Sequence, residues 1–146
     1  MSNKDIDEIV YCEYFKIIQN TITRMSQNSF LIKAWTVTII ASLTILILSI
    51  SNIVVLTILI GVVIIFWIFD SNYLKLERHY RSLYEKIVAE YNSEQKSNIK
   101  LFDMQVSPLL KVKWAFVKAM ISKSELLFYG ALEFTLLMFL ILVSVL

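Results

Sequence analysis

The stretch AWTVTIIASLTILILSISNIVVLTILIGVVIIFWIF, residues 34–69, contains no charged side chain. A helix in a soluble protein keeps a charged face, and a half-buried strand alternates apolar with polar residues. This block does neither, so lipid is the solvent that suits it. As one helix it would measure roughly 54 Å, against a hydrocarbon core of about 30 Å, which is too long for one ordinary span and right for two. The polar cluster Ser49-Ile50-Ser51-Asn52 lies near the middle, so the turn is placed there, with spans at 34–50 and 53–69. Trp35 and Trp67 then fall at the same end of the hairpin, as members of an interfacial aromatic belt do. Thr36, Thr38, Ser42 and Thr44 recur along the first span, which suits hydrogen bonds to a neighbouring helix.

A second block, 126–146, carries one charge, Glu133, and reads as a third span. A straight helix puts Glu133 about 12 Å beyond Glu125. An ionised carboxylate at that depth is costly, and such residues normally face a partner or water and mark function. Three readings stand: a titrating functional group, a neutral acid bonded to a hairpin hydroxyl, or an interfacial residue on a segment that does not fully span.

Composition supports the membrane reading. The chain of 146 residues is 58% hydrophobic and 18% charged, whereas soluble domains run at about 45–50% and about 25%. Two glycines and one proline leave little material for turns and loops, so the expected fold is all-α, in a single membrane domain. A net charge of +2 gives no electrostatic footprint for nucleic acid. Cys12 is the sole cysteine and cannot form an intrachain disulfide, nor does it have companions for a metal site. Gly61 and Gly130 stand alone, so no phosphate-binding loop is present, and His79, the single histidine, lies in a charged stretch and reads as solvated. No set of nucleophile, base and orienting group is visible. The expectation is a non-enzyme without cofactor or metal.

The flanking segments are amphipathic. The start, MSNKDIDEIVYCEYFK, lacks the basic and apolar regions of a signal peptide, so the spans themselves must direct insertion. Residues 5–25 read as a helix with Asp5 as N-cap and Asp7 and Glu8 in its first turn, weakened at Ser26-Gln27-Asn28-Ser29 before the membrane begins. Beyond Phe69, the residues Tyr73, Leu76, Tyr80, Tyr84, Ile87 and Tyr91 recur at threes and fours, the stripe of a helix over 70–92 that continues the second span by roughly 33 Å. The stripe is a contact surface, either for residues 6–25 of the same chain or for a neighbouring copy. Residues 93–108 read as a loop. Leu109 to Ile121 read as an amphipathic helix, with Lys111 and Lys118 on one face and Trp114, Phe116 and Met120 at headgroup level. Lys111, Lys113 and Lys118 are snorkelling cations or contacts for an anionic ligand. The hairpin turn has no Lys or Arg, while Lys16, Arg24, Lys33 and the middle region hold most of them. The positive-inside rule therefore puts the N-terminus, residues 1–33 and residues 70–125 in the cytoplasm of a bacterial cell, with the spans in its inner membrane.

Three stretches also carry a resemblance. RMSQNSFLIKAWTVTIIASL contains Arg24, Asn28, Ser29, Lys33 and Trp35; FWIFDSNYLKLERHYRSLYEKI contains Asp70, Glu77, Arg78 and Arg81; ISKSELLFYGAL precedes and enters the last span. Together they resemble a family of small bacterial multi-span membrane proteins bearing this paired signature. In layout, the chain is similar to SLATT-type membrane effectors, which join a two-helix membrane hairpin to a cytoplasmic helix. The resemblance implies an oligomeric inner-membrane effector that permeabilises or depolarises the membrane in antiphage defence, triggered by a separate cytoplasmic sensor or signalling partner. The alternative from another class is a non-conducting anchor that recruits a cytoplasmic enzyme. The implied associations are the lipid bilayer and further copies of the chain.

Overall fold

The computed structural model describes residues 3–50, 53–93, 102–105 and 114–145. The chain forms four helices among these residues: α1 (Asn3–Ile50), α2 (Ile53–Asn92), α3 (Ala115–Met120) and α4 (Lys123–Val145). None of the described residues is in a strand. Three of the helices, α1, α2 and α4, are long and apolar enough to cross a membrane. Their large apolar side chains lie largely on the outside; Trp35, Ile45, Ile58, Leu127 and Phe134 are each more than half exposed. Outward apolar faces of this kind suit lipid.

Two long helices replace several shorter ones. The first, α1, has 48 residues, about 72 Å at the usual rise. The helix expected over 5–25 does not end at Ser26-Gln27-Asn28-Ser29; it runs through this patch into the first apolar segment. Weak helix propensity costs only tenths of a kcal/mol per residue, and tertiary contacts outweigh it here, because Ser29 is buried against α2 and bonded to Asp70. The second helix, α2, passes from the apolar block into residues 70–92 without interruption, as the stripe required. Its start at Ile53 and the end of α1 at Ile50 frame the proposed turn, whose residues 51 and 52 lie outside the described residues.

Packing divides into two cores with a polar layer between them. In the apolar half, Leu56, Leu59 and Val63 of α2 pack with Tyr129 and Leu136 of α4, flanked by Ile40 and Leu43 of α1. In the other half, which we call the arm, Tyr14 and Ile18 of α1 enclose Ile87 of α2, with Phe15, Ile22, Leu83 and Tyr84 around them. The stripe residues therefore meet the same chain: Tyr91 lies beside Tyr11 (ring centroids 4.9 Å apart) and edge-on to Phe15, which also meets Tyr84. Tyr73, Leu76 and Tyr80, nearer the apolar block, are half-buried. Within the expected loop, residues 102–105 fold back onto the arm. Tyr14 donates a hydrogen bond to the Asp103 carbonyl (2.6 Å), and its ring contacts Phe102. Phe102 holds φ at 60°, an unfavourable value for an aromatic residue that this contact helps to offset.

Of the helix expected over 109–121, residues 109–113, with Lys111 and Lys113, lie outside the described residues; the described part holds the six residues of α3, preceded by a non-helical Trp114. Instead of resting wholly at headgroup level, α3 packs on α2 with Ala119 fully buried and Phe116 and Met120 half-buried, leaving Trp114, Val117 and Ile121 exposed. Its carbonyls tie it to α2, Met120 to the Trp67 indole (3.2 Å) and Lys118 to the Arg78 guanidinium (3.2 Å).

The continuity of α1 has a direct test. Gln27 is exposed, so Gln27→Pro removes a helical hydrogen bond without disturbing a core contact. A continuous helix predicts a loss of about 3 kcal/mol or more in thermal or denaturant unfolding of the detergent-solubilised chain. A flexible junction at 26–29 would accept the proline with little change.

Candidate functional site

The polar layer lies at the root of the arm, where the three apolar segments begin. Three charged residues border these segments on the same side: Lys33 before the block of α1, Asp70 after that of α2 and Glu125 before that of α4. Folding brings them together. The Lys33 ammonium is ion-paired with Asp70 and also with Glu125 Oε1 (2.7 Å), and it bonds to Ser29 Oγ (3.1 Å). Ser29 donates to Asp70 Oδ1, and the Tyr129 hydroxyl donates to Asp70 Oδ2 (3.0 Å). Asp70 is 0% exposed and Glu125 1%, while the Lys33 side chain is 19% exposed. The ammonium also lies about 6 Å from the ring centroids of Phe128 and Tyr129.

Local structure places each of these groups. Ser29 and Lys33 are one turn apart on α1, so they face the same neighbour. Glu125 and Tyr129 are likewise one turn apart on α4. Glu125 lies in the first turn of its helix, where the dipole favours a carboxylate. Tyr129 is held flat against Trp67, the rings stacked at 9° with centroids 5.8 Å apart, and the Trp67 indole is itself fixed by α3. Thr36, 1% exposed, borders the Tyr129 hydroxyl while bonding to its own helix at Ile32. Burial pushes the Glu125 carboxyl above the usual carboxylate range, and its bond to Lys33 opposes that shift. Burial lowers the pKa of Lys33, but the bonds to Asp70 and Glu125 outweigh it and leave the ammonium above its ordinary value.

Satisfaction within the cluster is uneven. Asp70 receives donors from three side chains. Glu125 Oε2 is buried and has no hydrogen-bond partner, and the same is true of the hydroxyls of Ser71 and Ser122, which adjoin the cluster in sequence. Donors and acceptors in a folded core are normally paired, so this set stands apart from the ordinary polar packing of a helix bundle.

Of the sequence-selected residues, the structure unites Ser29, Lys33 and Asp70 and leaves Arg24 and Trp35 exposed, with Asn28 half-buried. Glu77 and Arg81, four residues apart on α2, form an ion pair (2.7 Å). Arg78 joins α2 to α3 through the Lys118 carbonyl. His79, expected in solvent, is 7% exposed, with Nδ1 bonded to the Lys75 carbonyl. Thr38, Ser42 and Thr44 do not reach across to another helix: each hydroxyl donates to the carbonyl four residues back, at Ala34, Thr38 and Ile40. Own-helix bonding of this kind satisfies a hydroxyl without a partner helix. Glu133 is half-buried, and its Oε1 is enclosed without a partner, so no hairpin hydroxyl bonds to that oxygen. Glu125 and Tyr129 had no assigned role in the sequence reading. Their signal was the position of a lone acid at the mouth of the last apolar block. Among the described residues no group of three or more His, Cys, Asp or Glu is arranged to hold a metal.

Substitution of the central cation tests the cluster. Lys33→Met leaves two buried carboxyl groups without their cation, and removing one partner of a buried ion pair costs about 3–5 kcal/mol. The expected result is a loss of this size in unfolding of the solubilised chain, while Lys16→Met, which removes an exposed pair with Glu13, leaves stability essentially unchanged. Equal effects from the two substitutions would remove the cluster's special status.

The chain matches no family model, no curated protein and no solved structure, so the resemblance described above rests on the quoted residues alone.

Proposed function

We propose that this protein is an oligomeric effector of the bacterial inner membrane. Its arm lies in the cytoplasm and receives a signal from a partner protein, and activation permeabilises or depolarises the membrane, in the setting of antiphage defence. The observation that carries this reading is the outward face of α1. Ala34, Thr38, Ala41 and Ser42 are small or hydroxylated, follow one another at helical spacing and are all exposed. In lipid, small faces are where helices approach closely. Hydroxyls already bonded to their own helix can line a water path without leaving an unpaired group. Exposed Thr57 on α2 and Thr135 on α4 have the same self-satisfied geometry. The aromatic stripe of α2 is largely spent on α1 within the chain, so association of copies would fall to the spans instead of the arm. Because α1 and α2 run unbroken from the arm into the apolar half, displacement of the arm by a partner moves the spans with it.

A non-conducting anchor is the second reading, and a different feature favours it. A groove at the root of the arm is lined by Ile22, Gln27, Phe30, Leu31 and Arg81, with Phe30 72% and Leu31 51% exposed. Such a surface suits recruitment of a cytoplasmic protein.

Expression in bacterial cells with a potential-sensitive dye separates the two. The effector reading predicts depolarisation and growth arrest at high expression, with cross-linked oligomers in the membrane. It also predicts that Thr38→Leu with Ser42→Leu abolishes both effects at unchanged membrane abundance. An undisturbed potential at the highest wild-type level would leave the anchor reading in its place.

A further inference from the structure

We propose that the Lys33 cluster is a proton-binding site whose proton is carried by Glu125, and that this proton holds α4 to α1 and α2. The inference goes beyond the effector reading and does not depend on conduction.

The argument begins with charge. One ammonium faces two carboxyls, each at most 1% exposed. Full ionisation would leave a surplus negative charge walled in by Trp67, Phe128 and Tyr129, where water cannot solvate it. Both carboxyls are ion-paired with the same ammonium, so they lie close to each other. Two carboxylates that share one counter-charge repel each other, and protonation of one removes the repulsion.

The distribution of donors shows where the proton sits. Asp70 accepts from Lys33, Ser29 and Tyr129, so its oxygens are served as a carboxylate's should be. Glu125 accepts from Lys33 at Oε1 alone, and Oε2 has no donor. An oxygen that carries a proton needs no donor, so the missing donor at Oε2 marks Glu125 as the carboxyl that holds the proton. The arrangement is thus an ammonium, a carboxylate and a neutral acid, with zero net charge.

The groups that face Glu125 account for every helix packed on it. From α1 come Lys33 and Ser29, from α2 Asp70, and from α4 itself Tyr129. Lys123 on the preceding turn is exposed, as is Lys118 of α3. Glu133 lies two turns further along α4. No second cation is bonded to either carboxyl among the described residues. Loss of the proton therefore puts a second negative charge into a pocket with only one positive charge. Glu125 then repels Asp70 across the junction of α4 with α2. Since the docked state favours the protonated acid, docking is strongest at low pH and weakens as pH rises through the raised value of Glu125.

The test uses the full-length chain in lipid nanodiscs, in a Glu133→Gln background that removes the other enclosed acid. Infrared spectroscopy at neutral pH is expected to show a protonated-carboxyl stretch that disappears on alkaline titration and is absent when Glu125→Gln is added. Trp67, isolated by Trp35→Phe and Trp114→Phe, reports docking through its stack on Tyr129. Its emission should shift red as the band disappears and should stay at the docked value at every pH in Glu125→Gln. Should that substitution disturb folding, carboxyl-labelled glutamate identifies the band with no change at position 125, and the label must move it. The proposal is overturned by absence of the band, by a band that survives Glu125→Gln or is unmoved by the glutamate label, or by Trp67 emission that ignores the titration.

Discussion

The Lys33 ammonium is the point at which the three long helices meet. It sits on α1 and pairs with Asp70 of α2 and Glu125 of α4. Apolar packing in lipid holds helices together with little preference for register, because lipid tails are as apolar as the side chains they replace. A buried ion pair is different: it works only at one relative position of its partners, and misplacing it leaves charge unpaired at a cost of several kcal/mol. The cluster thereby sets the height of α4 against the hairpin and the level at which the arm begins. The Trp67–Tyr129 stack, the indole bond to Met120 and the seat of α3 follow from that level.

The long helices convert this fixed level into a mechanical relation. Below it α1 and α2 pack through Tyr14, Ile18 and Ile87, above it through Leu56, Leu59 and Val63 with α4. Neither helix has a joint at the cluster. A force on the arm therefore reaches the cluster through continuous backbone, and α4 is the element most able to respond. It follows the short helix α3, and it joins α1 chiefly through Lys33 and Glu125. The proposed effector activity and the proposed proton site both draw on that asymmetry.

Much of the fold was legible in the sequence. The uncharged run 34–69 supplies the apolar parts of α1 and α2, the block from Leu126 supplies that of α4, and the stripe from Tyr73 to Tyr91 continues α2 and meets the same chain at Tyr84, Ile87 and Tyr91. The patch at 26–29 misled because local propensity is weak beside a tertiary contact, and Ser29 is the residue that makes the contact. The hydroxyls of Thr38, Ser42 and Thr44 misled because periodicity gives the face of a helix and not the direction of a side-chain bond. The cluster itself was only half visible. Ser29, Lys33 and Asp70 stood out within the resemblance, but their meeting with Glu125 and Tyr129 spans 92 residues of chain, from Lys33 to Glu125. The available signal was a lone charge beside each apolar block on the same side of the bundle, one cation against two acids.

The most direct test of this account is a double-mutant cycle between Lys33 and Asp70, using Lys33→Met, Asp70→Leu and the pair in unfolding of the solubilised chain. If the two charges form one buried unit, each single change strands the other, and the double variant is more stable than the sum of the singles predicts by about 1–3 kcal/mol. Additivity to within about 0.5 kcal/mol would mean that the two side chains act independently and that the junction is held by something else.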